Sequence, residues 1–357
     1  MEQRLTKLWY RHDAGPSLLQ PLSWLYDAVV RLRRKAYTHG LLTTHRVGKP
    51  VIVVGNLTVG GTGKTPVVIW LARQLTQRGL KVGIVSRGYR SRRDTSQAHR
   101  ARTGHEPRLV TPQSTWQDVG DEPVLLARST GCATVVGTDR VAAARALVAQ
   151  HVDVIVADDG LQHLRLARDC EIVVIDGARG FGNGRVLPAG PLREPISRLA
   201  QADLIVVNGV AEHPSIRHLG TTDLGTKALQ MTLPLDDAVR VDGQGGQRPL
   251  EDFKDRPLHA VAGIGNPARF FRGLRSRGLD VIEHAFPDHH PFAPQDLSFQ
   301  DDLPVLMTEK DAVKCVSFSN PRLWQIPTAA TFNAAQSHEL LERVLRNIAV
   351  SVPEVRS

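Results

Sequence analysis

A strand that runs into a glycine-rich turn and then a helix is the feature that most restricts the fold of this 357-residue chain. The segment reads Val51-Ile-Val-Val-Gly-Asn-Leu-Thr-Val-Gly-Gly-Thr-Gly-Lys-Thr-Pro66. Its apolar run is typical of a buried strand, and Pro66 suits a first helical turn, where its missing N–H donor costs nothing. Ligands of parallel α/β sheets bind at the carboxyl ends of the strands, which is where this turn would lie.

The glycine-rich turn predicts a site for a nucleoside triphosphate. Successive backbone N–H groups in such a turn bind anions at a helix N-terminus, and larger side chains would block that approach. Lys64 can reach the outer phosphates, and the Thr65 hydroxyl can bind Mg²⁺. The pattern departs from G-x-x-x-x-G-K-[ST] because Thr58 holds the first glycine position. We therefore assign ATP and Mg²⁺ as cofactors, with Thr58, Val59, Gly60, Gly61, Thr62, Gly63, Lys64 and Thr65 as binding residues; the alternative is a glycine turn with a structural role only.

Two acids end a second apolar run, Asp153-Val-Ile-Val-Ala-Asp158-Asp159-Gly160. A carboxylate at a strand end beside a phosphate-binding turn can hold Mg²⁺ directly or through water. The sequence does not decide between Asp158 and Asp159, and acids at strand ends also occur as simple turn residues. Both are candidate metal ligands.

Strand and helix patterns alternate from Pro50 onward, which predicts a mostly parallel α/β sheet with helices on both faces. After about residue 212 the sequence becomes turn-rich, and a new α/β pattern begins near residue 258. The basic stretch 87–102 is predicted to be a solvated or mobile loop. We predict three parts: an N-terminal segment at 1–48, a core domain of the P-loop type at 49–212, and a smaller C-terminal α/β domain at 213–357 with a final helix near 336–349.

Leu22, Leu25 or Tyr26, and Val29 recur at helical spacing and predict an amphipathic helix over about 21–38. A basic cluster closes it, formed by Arg31, Arg33, Arg34 and Lys35. One interpretation is a helix in a membrane interface, with its basic residues on anionic phosphates. The other is packing onto the protein's own core, as amphipathic helices commonly do.

Composition narrows the partners of the chain. The formal net charge of +9 favours acidic partners such as phosphates, nucleic acid or anionic lipid. The chain lacks a strip of interleaved aromatic and basic residues, so we do not expect a nucleic-acid partner. Its three cysteines lie far apart without a Cys-x-x-Cys pair, which fits a reducing cytosol. Neither a spanning apolar run nor a cleaved signal is apparent, so we expect a cytoplasmic chain.

Two other classes of nucleotide-binding protein can be compared with this sequence. Dimerising partition-type ATPases place a second lysine just before the paired glycines, where this chain has Val59. A GTPase needs Asn-Lys-x-Asp, and neither Asn208-Gly-Val-Ala211 nor Thr308-Glu-Lys-Asp311 has that pattern. A P-loop ATPase that acts as a switch or assembly factor is therefore the weaker interpretation of the glycine-rich turn.

A series of short motifs extends the pattern over residues 51–312. They are Gly55-Asn56 with Gly60-Gly-Thr-Gly-Lys-Thr-Pro66, Ser86-Arg-Gly-Tyr89, Gly120-Asp-Glu-Pro123, Asp158-Asp-Gly-Leu-Gln-His163, Pro191-Leu-Arg-Glu-Pro195, Phe286-Pro-Asp-His-His290 and Thr308-Glu-Lys-Asp-Ala312. Together these motifs resemble the tetraacyldisaccharide 4'-kinase family of lipid A biosynthesis. They cover most of the chain and are far more specific than the glycine-rich turn alone.

The resemblance implies transfer of the ATP γ-phosphate to the 4'-hydroxyl of a tetraacyl glucosamine disaccharide 1-phosphate. It also implies an enzyme at the cytoplasmic face of the bacterial inner membrane, with the lipid disaccharide and an anionic membrane surface as partners. Because such an acceptor is held in a membrane, the resemblance favours the interfacial interpretation of residues 21–38. We also expect a monomer.

By the same resemblance, Asp121 would accept the proton of the attacking sugar hydroxyl, and His289 would assist Asp121 or the metal. A base must come within ~3 Å of that hydroxyl. With Lys64, these two residues form the predicted catalytic set.

Phosphoryl transfer spreads negative charge over three oxygens, so further cations are expected. The candidates for binding the nucleotide are Arg87, Arg140 and Arg193, although each could instead pair with a structural acid.

Overall fold

A computed structural model describes residues 9–10, 18–88, 106–220, 228–243 and 246–348. Most of the predicted basic loop at 87–102 lies outside these residues. The first sheet has eight strands in the order β3-β4-β2-β5-β1-β6-β7-β8, and all of its pairings are parallel except that between β3 and β4. Its strands are β1 (Val51–Gly55), β2 (Val82–Ser86), β3 (Arg108–Leu109), β4 (Ala133–Val136), β5 (Val154–Asp158), β6 (Cys170–Asp176), β7 (Leu204–Asn208) and β8 (Ala228–Met231).

Helices cover both faces of this sheet, because its central strands are buried on both sides. Alternate residues of β1 enter two different cores: Ile52 and Val54 face one, and Val51 and Val53 face the other. The helices of this part are α2 (Lys64–Gln77), α3 (Trp116–Val119), α4 (Asp121–Thr130) and α5 (Arg140–Val148). Helix α2 packs in the first core and α5 in the second, which confirms the predicted arrangement.

A second sheet of six strands follows, in the order β10-β9-β14-β13-β11-β12. Its four strands from β14 to β12 are parallel, and β9 pairs antiparallel with β14 and with β10. The elements are β9 (Ala238–Arg240), β10 (Gln247–Arg248), β11 (Leu258–Ala262), α6 (Pro267–Ser276), β12 (Val281–Ala285), β13 (Val305–Thr308), α7 (Glu309–Cys315) and β14 (Leu323–Ile326). This is the smaller α/β unit that the sequence pattern predicts.

Two elements beyond residue 212, one strand and one helix, are part of the unit built on the first sheet. Strand β8 is its edge strand, and the final helix α8 (Ala334–Ile348) packs in the same core as α2 through Leu340, Leu341 and Val344. The chain thus leaves the first sheet after β8 and returns to it at α8. The division at residues 48 and 212 stays a prediction.

Helix α1 (Gln20–Thr38) lies where the sequence predicts a helix and is docked by its polar side chains. The Ser23 hydroxyl donates to the Val186 carbonyl at 2.7 Å, and the Tyr26 hydroxyl donates to the Arg193 carbonyl at 3.1 Å. Its large apolar side chains are exposed instead: Leu22, Trp24, Leu25, Val29 and Leu32. None of the helices in the described ranges is long and apolar enough to cross a bilayer.

Candidate active site

A cavity of about 370 Å³ lies between the glycine-rich turn of the first sheet and the second sheet. The carboxyl ends of β1 and β5 deliver their loops to it, as expected for a parallel sheet. Its polar lining comprises Gly60, Gly61, Thr62, Gly63, Lys64, Thr65, Glu122, Asp159, Arg193, Asn266, Arg269, Asp288, His289, Thr308, Glu309, Lys310 and Thr328. Most of the motifs singled out in the sequence therefore meet at one place.

The phosphate turn, residues 58–65, is held open by amide side chains beneath it. Asn208 at the end of β7 donates to the Thr62 carbonyl at 2.9 Å, and Asn56 donates to the Thr58 carbonyl at 2.7 Å. Gly63 caps α2 with φ at +97°, and a Cβ there would lie 2.5 Å from the Asn208 amide nitrogen. Only glycine satisfies both conditions.

Thr58 and Val59 do not line the cavity with Gly60 to Thr65. Thr58 is buried and forms a bridge with Leu192, and the Val59 N–H donates to the Pro191 carbonyl at 2.8 Å. These two residues anchor the turn to the 191–195 segment through backbone pairing. Their assignment to the nucleotide stays a prediction.

Lys64, Asp159 and Arg193 form one charged cluster at the cavity wall. The Lys64 ammonium lies 3.5 Å from an Asp159 oxygen, and the Arg193 guanidinium lies 3.2 Å from the same carboxylate. Burial alone would raise the pKa of Asp159, but the Lys64 and Arg193 charges outweigh it and lower that pKa to about 2. The side chain at the cavity is therefore an anion held between two cations.

Asp158, Asp159 and Thr65 offer the oxygen donors that Mg²⁺ prefers. One Asp158 oxygen is completely buried, and no described residue gives it a hydrogen bond. Burial, followed by the negative charge of Glu122, raises the pKa of Asp158. A buried carboxylate oxygen without a hydrogen bond is unfavourable unless a cation lies beside it. This donor set fits a magnesium ion.

Arg140 lies near the Asp158–Asp159 pair and near Arg87, since the charges of all three act on its guanidinium. The Arg140 side chain is buried and donates to the Gly137 carbonyl at 2.5 Å. Two of its guanidinium nitrogens have no hydrogen-bond partner among the described residues. Burial lowers the pKa of Arg140 to about 10, although Asp158 and Asp159 oppose the shift. Arg87 is exposed, and neither arginine lines the cavity itself.

Asp121 and His289 come from different sheets and meet at the cavity. Asp121 begins α4, His289 follows β12, and the His289 Nδ1 lies 3.0 Å from both carboxylate oxygens of Asp121. Burial opposes the charged form of each group. The hydrogen bond between them prevails, so it lowers the pKa of Asp121 and raises the pKa of His289. His289 lines the cavity, whereas Asp121 lies behind it at 4% exposure.

Lys310 ties this pair to its surroundings from the first turn of α7. Its ammonium lies 2.9 Å from Glu122, 3.1 Å from Asp288 and 3.4 Å from the His289 Nε2. Burial would lower the pKa of Lys310, but the surrounding carboxylates raise it. The sequence motif contained Lys310 without indicating this role. Lys310 therefore links the loop that carries His289 to helix α4.

Arg179 and Gly265 were missed from sequence and join the two sheets above the phosphate turn. The Arg179 guanidinium donates to the carbonyls of Gly61 and Gly265, the latter at 3.1 Å. A Cβ at Gly265 would clash with the Gly61 backbone nitrogen, so only glycine permits this approach. Neither residue sits in a recognisable local pattern, because the contact joins segments more than eighty residues apart.

Comparisons with known proteins identify one family for this chain. The sequence matches the family model described as tetraacyldisaccharide-1-P 4'-kinase over residues 16–346. A protein named tetraacyldisaccharide 4'-kinase from Nitrosococcus oceani is 47% identical over 342 residues, covering 94% of this chain and 93% of the relative. One of the same name from Xanthomonas campestris is 48% identical over 341 residues, covering 94% of each. A crystal structure of LpxK from Aquifex aeolicus in complex with ATP has a TM-score of 0.74 at 28% identity, covering 92% of this chain and 98% of that chain.

Proposed function

The chain belongs to the tetraacyldisaccharide 4'-kinase family, and on that premise we propose that it transfers the γ-phosphate of ATP to the 4'-hydroxyl of a lipid-linked glucosamine disaccharide 1-phosphate. The observation that carries the proposal is that the phosphate turn, with Lys64, and His289, the hydrogen-bond partner of Asp121, line one cavity. A kinase needs a triphosphate site and a proton acceptor side by side.

The residues of the turn have separate roles in this proposal. Backbone N–H groups of residues 60–65 bind the phosphates, and Lys64 neutralises charge on the outer ones. Arg193 and the buried Arg140 supply further positive charge as the equatorial phosphate oxygens gain negative charge. Arg87, at the edge of the site, is proposed to add to this field.

Asp121 is proposed to accept the proton of the attacking hydroxyl, with His289 as its partner. The helix α4 N-terminus and Lys314, 3.5 Å from an Asp121 oxygen, keep the carboxylate charged. His289 orients the carboxylate through the 3.0 Å hydrogen bond. A proton that reaches Asp121 can be shared with the His289 ring, so the acceptor is a pair and not a lone acid.

Asp158, Asp159 and the Thr65 hydroxyl are proposed to hold Mg²⁺. A magnesium ion held by these residues would supply positive charge to the phosphates bound at the turn. Asp159 also holds Lys64 and Arg193 in place through its ion pairs. The carboxylates thus organise the cations of the site as well as the metal.

Thr65→Ala is expected to raise the Mg²⁺ concentration needed for half-maximal activity about tenfold, because one of the proposed oxygen ligands is lost. The measurement is a magnesium titration of initial rates at saturating ATP. Thr65→Ser keeps the hydroxyl and should titrate like the wild type. An unchanged titration for the alanine variant would remove Thr65 from the metal site.

The enzyme is proposed to act as a peripheral monomer at the cytoplasmic face of the inner membrane. The exposed apolar side chains of α1, Trp24 and Leu25 among them, suit the headgroup boundary of a bilayer. The basic residues that end this helix suit anionic lipid phosphates.

Deletion of residues 1–40 is expected to weaken binding to anionic vesicles at least tenfold, because the exposed apolar face of α1 is removed. Vesicle sedimentation measures this directly. ATP binding by the truncated protein, checked in parallel, shows whether the rest of the chain remains folded. Sedimentation equal to the full chain would contradict membrane docking by α1.

The assay that tests the proposed function combines the protein, ATP, Mg²⁺ and a purified lipid disaccharide 1-phosphate in mixed micelles. We expect one phosphate transferred per acceptor, at a rate that depends on the acceptor concentration. ATP hydrolysis without acceptor phosphorylation would instead favour an ATPase that acts as a switch or assembly factor.

A further inference from the structure

A buried network of ion pairs lies beneath the C-terminal half of α1. Arg198 pairs with Glu171 and, at 3.4 Å, with Glu194. Arg168 pairs with Glu171 at 3.0 Å, and Arg34 of α1 approaches Glu194 at 3.6 Å. The network joins the helix to the first sheet through five charged side chains.

Three guanidinium groups and two carboxylates make up this network, so it carries one excess positive charge. The Arg198 side chain is 1% exposed, and its Nη1 has no hydrogen-bond partner among the described residues. Burial, followed by the neighbouring Arg198 charge, lowers the pKa of Arg34. An unbalanced buried cation is costly, and a bound anion would remove that cost.

Two adjoining cavities open over this network, of about 490 and 470 Å³. Both are lined by Arg34, Thr38, Arg198 and Gln201. The first also has Tyr37 and Arg46 in its wall, and the second extends along α1 to Leu32. The cavities therefore place arginine and hydroxyl donors beside an apolar side chain.

Leu32, the apolar side chain beside the second cavity, points to the proposed membrane side of helix α1. Leu32 is 70% exposed and continues the row of exposed apolar side chains that includes Leu25 and Val29. A bilayer that receives this row would bring its headgroup phosphates level with the basic end of the helix. The cavities open at that end.

We propose that these cavities form a binding site for the phosphodiester of an anionic phospholipid, with Arg34 and Arg198 as its principal donors. The inference deepens the proposed function, on which it rests for the membrane setting. It is separate from the cavity of the phosphate turn, with which it shares none of its lining residues. Its role is to fix the depth and rotation of α1 at the membrane.

The two carboxylates of the network favour a phosphodiester over a phosphomonoester. A phosphodiester carries a single negative charge, whereas a monoester brings close to two negative charges near Glu171 and Glu194. Arg168 is not assigned as a donor to the lipid, because it already donates to Glu171 and to the carbonyls of Leu161, His163 and Leu166.

The test compares Arg34→Gln with Arg33→Gln in the full chain. Both remove one charge from α1, but only Arg34 lines the cavities. A non-specific basic residue near an anionic surface contributes ~1 kcal/mol, or about fivefold in affinity. We expect Arg34→Gln to weaken binding to phosphatidylglycerol vesicles more than tenfold, and Arg33→Gln to weaken it fivefold or less.

Short-chain phosphatidylglycerol below its micelle concentration isolates the headgroup site from the bilayer. Titration followed by isothermal calorimetry should saturate for the wild type and for Arg33→Gln, but not for Arg34→Gln. Short-chain phosphatidylcholine and inorganic phosphate should bind at least tenfold more weakly. Equal losses in the two variants, or tighter binding of phosphate or glucosamine 1-phosphate than of phosphatidylglycerol, would overturn the proposal.

Two further measurements distinguish loss of the headgroup site from a folding defect and from failure of the proposed function. Thermal unfolding of each variant identifies a folding defect, and Arg34→Lys, which keeps the charge in place, should recover most of the affinity if Arg34→Gln unfolds. Kinase activity in detergent micelles is expected to be the same in the wild type and Arg34→Gln. A wild type without kinase activity would refute the proposed function alone, while vesicle binding would still decide the headgroup site.

Discussion

Replacing Asp121 with asparagine is expected to lower kcat by ~10²–10⁴-fold while the KM for ATP changes less than threefold. The substitution keeps the size of the side chain but removes the carboxylate that the His289 hydrogen bond holds in its charged form. Asp121 lies outside the lining of the phosphate turn, so nucleotide binding should persist. Single-turnover rates with bound ATP and saturating acceptor measure the effect.

His289→Gln is the companion variant for Asp121→Asn. Glutamine can still donate a hydrogen bond to Asp121 but cannot share its proton, so we expect a smaller loss of turnover. The double variant should lose little more than Asp121→Asn, because the two side chains act as a unit. A normal turnover for Asp121→Asn, or fully additive losses, would exclude the pair as the proton acceptor.

Replacing Lys64 with alanine is expected to reduce kcat/KM for ATP by at least ~10³-fold, because the cation that contacts the outer phosphates is removed. The substitution also removes one of the two ion pairs of Asp159 and leaves the pair with Arg193, so the Asp159 carboxylate becomes less well positioned. Acceptor phosphorylation over a range of ATP concentrations gives the value. Lys81→Ala, at the exposed residue just before β2, removes the same charge far from the cavity and should behave as the wild type.

Weak or absent effects of Lys64→Ala would point to a different triphosphate site. Circular dichroism and thermal unfolding of both lysine variants establish that each remains folded. If Lys64→Ala keeps acceptor phosphorylation, the phosphate turn is not where ATP is activated.

The parts of the fold that the sequence predicts are those with short-range signals. The apolar run 51–54, the glycines after it and Lys64 form a local pattern, because strand, turn and helix follow each other without interruption. The two acids at 158–159 end a strand that pairs directly with β1, so their arrival beside the turn follows from a parallel sheet. The alternation of strands and helices gave the α/β class for the same reason.

The rest depends on contacts that no local pattern encodes. Strand β8 joins the first sheet across residues that a change of composition had assigned to the next domain. Arg179 is one arginine among many in a basic chain, and only the folded structure places it between Gly61 and Gly265. The exposed apolar face of α1 has the same spacing as a core-facing helix, so periodicity could not distinguish the two.

Asp121 and His289 belong partly to each group: their motifs are visible in the sequence, but their contact is not. Their motifs were recognised through a family resemblance, but residue spacing alone could not bring together side chains 168 positions apart. The structure does so with a 3.0 Å contact between the start of helix α4 and the loop after β12. This contact requires that the two sheets face each other across the cavity, which is a property of the tertiary fold.

Transfer of phosphate to one particular hydroxyl is the central claim, and phosphorus NMR of the purified product tests it most directly. The enzyme would be incubated with ATP, Mg²⁺ and the lipid disaccharide 1-phosphate, and the product isolated. We predict a second phosphomonoester resonance that couples to the proton at the 4'-position, absent when Lys64→Ala replaces the wild type. A product phosphorylated elsewhere, or an acceptor that remains unchanged while ATP is consumed, would contradict the account.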